Sequence, residues 1–351
     1  MAVRCPQPQP RGLPRTGRQS PARAPGPREG FRIRGAARSR GGVVLAAKHP
    51  GRPRRRGDAA LHAPALPRAA ARAAGDHAAG GGVRTIAHVS DLHFGREDPA
   101  LVAALQEDLK GAAPDLVAVS GDLTQRARRR EFEAARDFLQ ALGMPVLAVP
   151  GNHDIPLFDV ARRLLRPLDR YRQYIHADDN PFYVDAELAV LGLNTARRTA
   201  LAGDGRISLP QIEVLRQRFA PLPPGLVRVL VTHHPFVPAP SGPAHTLVGR
   251  GLEGLQAAEA AGVDIVLAGH LHRGFTGDVR THHVAIKRSI LVFQAGTAVS
   301  TRLRGEPNSY NLILLDPPRL ACTVHAWDGQ RFRPLAPTRF LKTDDEWRRE
   351  G

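Results

Sequence analysis

The sequence predicts a mixed α/β fold in which parallel strands come first and antiparallel strands follow. Between residues 84 and 149, three short apolar segments alternate with two amphipathic ones, which is the rhythm of βαβ units in a parallel sheet. After residue 289 the apolar segments follow one another without a helical segment between them, which indicates antiparallel pairing. The 351 residues suffice for one large or two modest domains with a sizeable core.

The early elements have clear local signals. Strands are predicted over residues 84–90, 115–120 and 146–149, which are short and rich in apolar and β-branched side chains. A helix is predicted at 99–109, where Leu recurs with helical spacing and Pro99 stands near the start. A second helix is predicted at 126–142, where one face is apolar and several Arg residues lie near the start.

After residue 149 the alternation is looser. Helical spacing over 157–175 is interrupted by Pro167, and further helices are predicted at 210–219 and 249–261. Strands are predicted over residues 188–193, 226–231, 264–268, 290–293, 310–315 and 322–327. The Pro-rich segment 236–248 is predicted to be a structureless loop, long enough to form a lid or a rim.

The net charge of +17 is concentrated near the N-terminus. Residues 1–82 contain 17 Lys and Arg against three acidic residues, whereas the other 269 residues contain 33 basic and 30 acidic side chains. The regularly patterned part of the chain is therefore nearly balanced in charge. A nucleic-acid partner is not predicted for that part, although the basic segment could bind one.

Residues 1–82 are predicted to be a disordered basic segment rich in Arg, Pro, Ala and Gly, because they carry few large apolar side chains and no sustained periodicity. Three interpretations stay open: a basic tail that binds nucleic acid or acidic surfaces, an organelle transit peptide, or a start site assigned too far upstream. The third is favoured because the composition resembles translated GC-rich DNA. We expect a folded domain at 83–330 and a C-terminal tail at 331–351.

Neither a membrane span nor an export signal is predicted. No apolar run approaches the roughly 18 residues that a membrane helix needs, and the run at 43–47 is too short for a secretory signal. Cys5 and Cys322 are the only cysteines, so a disulfide framework or a thiolate metal site cannot be built. We therefore expect no membrane association and a reducing, cytoplasmic location.

Polar side chains that can bind metals follow five of the predicted strands. They are Asp91 and His93, Asp122, Asn152 and His153, His233 and His234, and His270 and His272. Taken singly, each has an ordinary explanation, since Asp can cap a helix and a loop His can lie on the surface. Together they include six of the 15 His, and the carboxyl ends of parallel strands meet at one edge of a sheet. His88 and His325 are expected to be packing or surface residues.

The chemistry of these side chains indicates the kind of ion. Carboxylates, imidazoles and one amide suit Mn, Fe or Zn better than a thiolate-preferring ion or an all-oxygen Mg or Ca site. Seven ligands are too many for one ion, but they suit two divalent or trivalent ions that share a carboxylate. Two ions about 3.5–4 Å apart serve in-line displacement at phosphorus. The sequence therefore predicts a two-metal site for phosphoryl chemistry.

The motifs Asp-Leu-His at 91–93, Gly-Asp at 121–122, Gly-Asn-His-Asp at 151–154, His-His-Pro at 233–235 and Gly-His-Leu-His at 269–272 occur in this order. The set resembles the calcineurin-like metallophosphoesterase superfamily over residues 83 to 328. The last two motifs resemble the bacterial class III cyclic-nucleotide phosphodiesterases. The resemblance implies a four-layer αββα sandwich with two mixed β-sheets and a dinuclear metal site at the strand ends.

The resemblance also implies a role for each motif residue. One ion would be held by Asp91, His93 and His272, the other by Asn152, His233 and His270, with Asp122 as the bridging ligand. A hydroxide between the ions would attack phosphorus. His153 would face the scissile phosphate, Asp154 would orient His153 or another residue that supports the ligands, and His234 would contact substrate.

The leading functional prediction is a metal-dependent phosphodiesterase that acts on a small phosphodiester, such as a 3',5'-cyclic nucleotide. A nuclease of the same superfamily would be expected to show a DNA-capping domain or a basic core, and neither is evident. A phosphatase or a pyrophosphatase is an alternative, and a non-catalytic scaffold is a remote one. We expect specificity to lie in the rim, at residues 162–174, 236–248 and 287–306.

Overall fold

The computed structural model describes residues 82–199, 203–238, 247–344 and 346–351, and two mixed β-sheets form their centre. The first sheet has eight strands: β1 (Arg84–Val89), β2 (Leu116–Ser120), β3 (Val146–Val149), β10 (Ser309–Asp316), β11 (Arg319–Trp327), β12 (Phe332–Pro334), β13 (Thr338–Thr343) and β14 (Glu346–Arg349). Its order is β14-β13-β11-β10-β1-β2-β3, with β12 beside β11. Only the β1–β2 and β2–β3 pairs are parallel.

The second sheet has six strands. They are β4 (Phe182–Val184), β5 (Leu188–Leu193), β6 (Val227–Thr232), β7 (Ile265–Ala268), β8 (Phe275–Asp278) and β9 (Leu291–Gln294). Their order is β4-β5-β6-β7-β9-β8, in which β5, β6, β7 and β9 run parallel to one another. The short edge strands β4 and β8 are only partly buried and lie outside the predicted segments.

The two early helices follow the sequence signals closely. Helix α1 (Pro99–Ala112) begins where the Asp98 carboxylate accepts a hydrogen bond from the Ala100 amide, and its leucines are buried. Helix α2 (Arg129–Leu142) begins three residues later than predicted. The delay arises because the preceding turn contains Ala127 in a left-handed conformation and is closed by the Glu131 carboxylate.

Four further α-helices follow in the described part of the chain. The predicted helical stretch at 157–175 is divided into α3 (Val160–Leu165) and α4 (Asp169–Tyr174), because Pro167 cannot continue a helix. Helices α5 (Leu209–Phe219) and α6 (Gly251–Ala260) agree with the predicted segments to within two residues at each end. Ser208 caps α5 by accepting a hydrogen bond from the Gln211 amide.

Three apolar cores separate four layers. One core lies between the sheets and contains Val149 and Val231. A second core packs α1, α2 and α4 on the outer face of the first sheet, and a third packs α5 and α6 on the outer face of the second. Each large side chain buried in this way contributes roughly 1.5–3 kcal/mol to folding. The predicted four-layer αββα sandwich with two mixed sheets is confirmed.

The end of the chain corrects one predicted boundary. Residues 331–351 were expected to form a tail outside the domain, but strands β12, β13 and β14 belong to the first sheet. Phe340 and Trp347, each 6% exposed, enter the core between the sheets. A boundary at residue 330 is therefore too early, because two isolated aromatics among charged residues gave no strand signal in the sequence.

Two other predicted segments fall mainly outside the description. These are the basic segment, of which only Gly82 is described, and the middle of the loop at 236–248. Within the described ranges, no helix is both long enough and apolar enough to cross a bilayer.

Candidate metal centre

Seven predicted ligand side chains lie together at the carboxyl ends of strands from both sheets. In the first sheet, β1 is followed by Asp91 and His93, β2 by Asp122 and β3 by Asn152; in the second, β6 is followed by His233 and β7 by His270 and His272. The Asp91 amide donates to the Gly121 carbonyl, and the His270 amide donates to the Asp91 carboxylate. The sequence interpretation that these strand ends converge is therefore realised in the structure.

The backbone at five of these positions is in an uncommon conformation. The residues with positive φ are Asp91 (53°), His93 (48°), Asp122 (51°), His270 (73°) and His272 (57°). They make up five of the nine such non-glycine residues in the part of the chain that is described. A left-handed conformation costs of order 1 kcal/mol or more for a residue with a Cβ. The fold therefore accepts strain to turn these side chains toward a common point.

Glycines in the motifs allow the strand ends to approach closely. A Cβ on Gly151 would lie 2.1 Å from Asp122 Oδ1. Gly121 has φ +89°, and a Cβ there would lie 2.6 Å from His233 Nδ1. Real Cβ atoms do not come so near to other heavy atoms, so a side chain at either position would displace a predicted ligand.

Asp91, His93 and His272 form the first candidate ligand set, and all three are buried. They offer three ligand atoms that lie within 4.8 Å of one another. The Nε2 atoms of His93 and His272 are each 3.5 Å from Asp91 Oδ1. The described atoms provide no hydrogen-bond partner for Asp91 Oδ1 or for either ring nitrogen of His93.

Asn152, His233 and His270 form the second candidate ligand set. Asn152 Oδ1 is 3.0 Å from His233 Nε2 and 3.1 Å from His270 Nδ1. The two ring nitrogens are 3.2 Å apart. Three lone-pair atoms therefore surround one small volume.

Asp122 stands between the two sets. Its Oδ2 is 3.6 Å from His93 Nε2 in the first set, and its Oδ1 is 3.4 Å from His233 Nε2 in the second. Each carboxylate oxygen thus faces a different set, which is the arrangement of a shared ligand.

These separations fit metal coordination. Atoms about 2.1 Å from one ion at tetrahedral or octahedral angles lie roughly 3.0–3.4 Å apart, close to the observed distances. Buried lone pairs without partners are costly unless something binds them, and a cation would satisfy Asp91 Oδ1 and the His93 ring. His233 Nδ1 lies 2.8 Å from the Ser120 carbonyl, which can only accept a hydrogen bond, so the Nε2 lone pair is directed at the cluster. The residues present therefore fit two cations.

The cluster perturbs the ionisation of its members. Burial acts to raise the pKa of the Asp122 carboxyl, but His233 and His153 outweigh it and hold the pKa well below its usual range. Burial acts to lower the pKa of His233, but the Asp122 and Asp91 carboxylates raise it to about 9. Burial lowers the pKa of His270 and of His272 to about 4. Asp122, His270 and His272 are therefore in the forms that bind cations, whereas His233 must release a proton from Nε2 when a cation binds there.

His153 lies at the opening of the cluster and is held on both sides. Its Nδ1 is 2.9 Å from the Gln125 carbonyl, and its Nε2 is 3.0 Å from Arg302 Nη1. Its amide donates to Asp122 Oδ1. Neither Gln125 nor Arg302 was predicted to be a catalytic or metal-binding residue, because neither stands in a motif or directly after a strand; Arg302 does lie in the segment 287–306, where the rim was expected.

Asp154 holds the loops beneath the site. Its carboxylate accepts hydrogen bonds from the amides of Gly151 and Thr124 at 2.9 and 2.8 Å, and from the Leu123 amide at 3.2 Å. Of the two expected roles, this geometry matches the second, because Asp154 supports the loops that carry the candidate ligands Asp122 and Asn152. The His153 ring is oriented by the Gln125 carbonyl instead.

His234 differs from its predicted role of contacting substrate. Although one of its nitrogens lies within 4.8 Å of ligand atoms of His233 and His270, both nitrogens have other partners. Nδ1 is 2.7 Å from Thr195 Oγ1, and Nε2 is 2.7 Å from the Gly203 carbonyl. The ring is fully buried, and burial holds its pKa well below the usual range. His234 therefore packs behind the ligands instead of facing the opening.

A cavity of about 330 Å³ opens above the cluster. Its walls include Asp122, Asn152, His153, His270 and His272 together with Arg126, Arg163, Arg302 and Arg304. Four guanidinium groups around one carboxylate favour an anionic ligand.

A four-layer sandwich with two ligand sets sharing one carboxylate is the architecture of a metallophosphoesterase. Residues 84–274 match the family model described as Calcineurin-like phosphoesterase, which is more than half of the chain. The chain belongs to the calcineurin-like phosphoesterase family and is a hydrolase that acts on phosphoester bonds. Members of this family use a dinuclear metal centre.

Two curated relatives have phosphodiesterase names. The probable cyclic nucleotide phosphodiesterase of Synechococcus sp. is 29% identical over 202 residues, which cover 54% of this chain and 74% of that protein. The glycerophosphodiester phosphodiesterase GpdQ of Enterobacter lignolyticus is 36% identical over 80 residues, 20% of this chain and 29% of that protein.

Solved structures share the fold at low sequence identity. The purple acid phosphatase PPD1 of yellow lupin (Lupinus luteus) has a TM-score of 0.58 and 12% identity, over 74% of this chain and 54% of that chain. This chain thus spans about half the length of the lupin protein. A dimetal phosphatase from Danio rerio has a TM-score of 0.50 and 14% identity, over 73% of this chain and 98% of that chain.

Proposed function

We propose that the protein is a metal-dependent phosphodiesterase that hydrolyses a small phosphodiester, with a 3',5'-cyclic nucleotide as the first candidate. The observation that carries the proposal is the Asp122 carboxylate, which turns one oxygen to each ligand set beneath an arginine-lined cavity. The names of both curated relatives support a diester substrate. The cavity volume of about 330 Å³ suits a small molecule.

In this proposal the seven ligands divide as the geometry suggests. Asp91, His93 and His272 would hold one ion; Asn152, His233 and His270 would hold the other; and Asp122 would bind both. The mixture of nitrogen and oxygen donors favours Mn, Fe or Zn. Bound ions would activate water and neutralise charge on the phosphate.

The protein itself would orient the substrate and handle the leaving group. His153 borders the cavity, and the Gln125 carbonyl holds its Nδ1–H, so Nε2 is the atom that faces a bound phosphate. We propose that Nε2, once it has exchanged the Arg302 contact for a proton taken up from solvent, faces the scissile group and gives that proton to the leaving oxygen. The arginines at the opening would attract the anion and exclude neutral esters.

The test is hydrolysis by protein that has been stripped of metal and then restored with Mn²⁺. Bis(p-nitrophenyl) phosphate, p-nitrophenyl phosphate and cyclic AMP are compared, with bound metal measured on the same samples. We expect turnover of the diester and of cyclic AMP that Asp122→Ala and Asn152→Ala abolish, while Asp137→Ala, at an exposed site on α2, changes nothing.

Each other outcome has a clear meaning. Diester turnover without cyclic AMP turnover would keep the reaction and exclude that substrate. Preference for the monoester would indicate a phosphatase. Absence of turnover with Mn²⁺, Fe²⁺ or Zn²⁺, or full activity in both ligand variants, would contradict the proposal.

A further inference from the structure

We propose that Arg302 binds a non-bridging oxygen of the scissile phosphate and that its contact with His153 holds it ready to do so. This inference rests on the proposed function of the same site. Arg302 lies beyond residues 84–274, the segment that matches the family model.

The backbone that leads into Arg302 is held by hydrogen bonds at the cavity rim. The residue stands in the connection between β9 and β10, where the Ala298 amide donates to the Ser90 carbonyl next to the ligand Asp91. The Thr301 amide donates to the Arg96 carbonyl, and the Arg302 amide donates to Ser300 Oγ. These bonds tie the connection to the loop after β1, so the position of the guanidinium is set relative to the first ligand set.

The guanidinium makes an unusual contact. Its Nη1 is 3.0 Å from His153 Nε2, and because Arg can only donate, Nε2 must accept. His153 Nδ1 then carries the proton and donates to the Gln125 carbonyl. Within the described ranges, no ion pair joins Arg302 to a carboxylate, in contrast to Arg84 and Arg172.

A half-buried guanidinium group is suited to bind a phosphate anion. Guanidinium carries five N–H donors in a planar fork, which matches two oxygens of a phosphate. One donor is used on His153, and the side chain lines the same cavity as Asp122 and His153. Burial lowers the pKa of Arg302, and the nearby Asp122 and Asp91 carboxylates oppose that shift, so the group stays charged. Because neither carboxylate forms an ion pair with it within the described ranges, the guanidinium can still bind an anion in the cavity. A phosphate anion supplies the missing partner.

A purely structural role makes a different prediction. If Arg302 only clamped the His153 ring, any donor of similar length would serve. Arg302→Lys retains a charged N–H donor of similar length and removes only the fork, so a clamp alone predicts wild-type behaviour for this variant. Arg302→Gln is too short to reach Nε2 and removes the charge and the fork together. Arg331→Gln is the matched control, because Arg331 is exposed in the turn between β11 and β12.

The experiment combines a binding readout with a kinetic one. Binding of inorganic phosphate to the Mn²⁺-loaded full chain is measured by calorimetry, and kcat and KM are measured with bis(p-nitrophenyl) phosphate. We expect Arg302→Gln to weaken phosphate binding and to lower kcat/KM, each by about 10- to 100-fold, as for loss of a charge-assisted hydrogen bond. Arg302→Lys should fall between the wild type and Arg302→Gln, with bound Mn²⁺ unchanged in both variants. Arg331→Gln should match the wild type.

Failure of this inference can be told apart from failure of the proposed function. Wild-type values in Arg302→Gln, with turnover abolished by Asp122→Ala, would overturn the inference and leave the function standing. If the wild type hydrolyses no diester, the function fails, and phosphate binding alone decides: equal binding by wild type and Arg302→Gln, or none by either, overturns the inference. If Arg302→Gln does not fold, Arg302→Lys carries the test.

Discussion

Gly151 lies against Asp122 so closely that a Cβ at position 151 would be 2.1 Å from Asp122 Oδ1. Gly151→Ala must therefore push the shared carboxylate aside. We expect this variant to bind fewer Mn²⁺ ions per chain and to lose at least about 100-fold in diester turnover. Losing only a hydrogen-bond partner of a metal ligand typically lowers metal affinity or activity by about 10- to 100-fold, and here the proposed ligand itself is displaced. Metal analysis after gel filtration and initial rates provide the measurement.

The control for Gly151→Ala is Gly111→Ala in helix α1, where a Cβ would meet no atom within 4 Å. This change should leave activity intact and add about 0.5–1 kcal/mol to the free energy of unfolding. Two bound ions and normal rates in Gly151→Ala would show that the loop can yield and that the tight approach is not required.

His234 is buried with both ring nitrogens hydrogen-bonded, to Thr195 and to the Gly203 carbonyl. His234→Ala should leave these two partners unsatisfied and lower the free energy of unfolding by roughly 1–3 kcal/mol. Its KM for the diester should change by less than about threefold, because the ring does not line the cavity. Urea unfolding and steady-state kinetics test the two expectations. A large rise in KM at unchanged stability would instead favour direct contact with substrate.

His88 provides a pH-dependent prediction away from the ligands. The ring is fully buried against Ser120, and burial lowers its pKa to about 3, with partial opposition from Asp91. Between about pH 6.5 and 3 the unfolded state therefore binds a proton that the folded state does not. The free energy of unfolding must fall with falling pH by about 1.4 kcal/mol per pH unit from this residue, and the loss begins near pH 6.5.

The variant His88→Gln has no imidazole at this position, so its unfolded state does not take up this proton. As the pH falls from 7.5 to 5.5, the free energy of unfolding of the variant should therefore fall by about 1 kcal/mol less than that of the wild type. Urea unfolding at the two pH values, with chelator present in both, gives the difference. Parallel pH dependence in the two proteins would mean that His88 titrates normally in the folded state.

Trp347 tests the corrected C-terminal boundary. The side chain is 6% exposed and packs with Phe340 in the core between the sheets. Trp347→Ala should lower the free energy of unfolding by about 3 kcal/mol, as expected for a large core aromatic. Leu335→Ala, at an exposed site in the same segment, serves as the control and should have little effect. Equal stability of the two variants would place the segment outside the cooperative unit.

The proximity of the seven proposed ligands could be predicted because each follows an apolar strand by a few residues. Local order in the sequence then encodes proximity in space: Asp91 and His270, 179 positions apart, are hydrogen-bonded through backbone and carboxylate. Contacts set by tertiary packing had no such signal. The partners of His234, Thr195 and Gly203, stand in loops, so the sequence offered no reason to place its ring behind the ligands.

Arg302 is a second residue whose contacts are set by tertiary packing. The predicted rim segment 287–306 includes Arg302, but nothing in the sequence distinguishes it from the other basic residues there. Its place beside His153 follows from the connection between β9 in the second sheet and β10 in the first. The C-terminal strands were missed because β13 and β14 lie at one edge of the sheet, where most of their solvent-facing side chains are charged. Strand prediction depends on alternation, which is weak where only Phe340 and Trp347 turn inward.

Each proposed ligand set takes residues from both sheets. Asp91 and His93 follow a strand of the first sheet, whereas their partner His272 follows a strand of the second; Asn152 is likewise matched with His233 and His270. A bound ion would therefore act as a crosslink between two sheets that otherwise meet through non-directional apolar contacts. Its coordination energy would resist sliding of one half of the molecule over the other, so that metal supply would govern mechanical cohesion as well as chemistry.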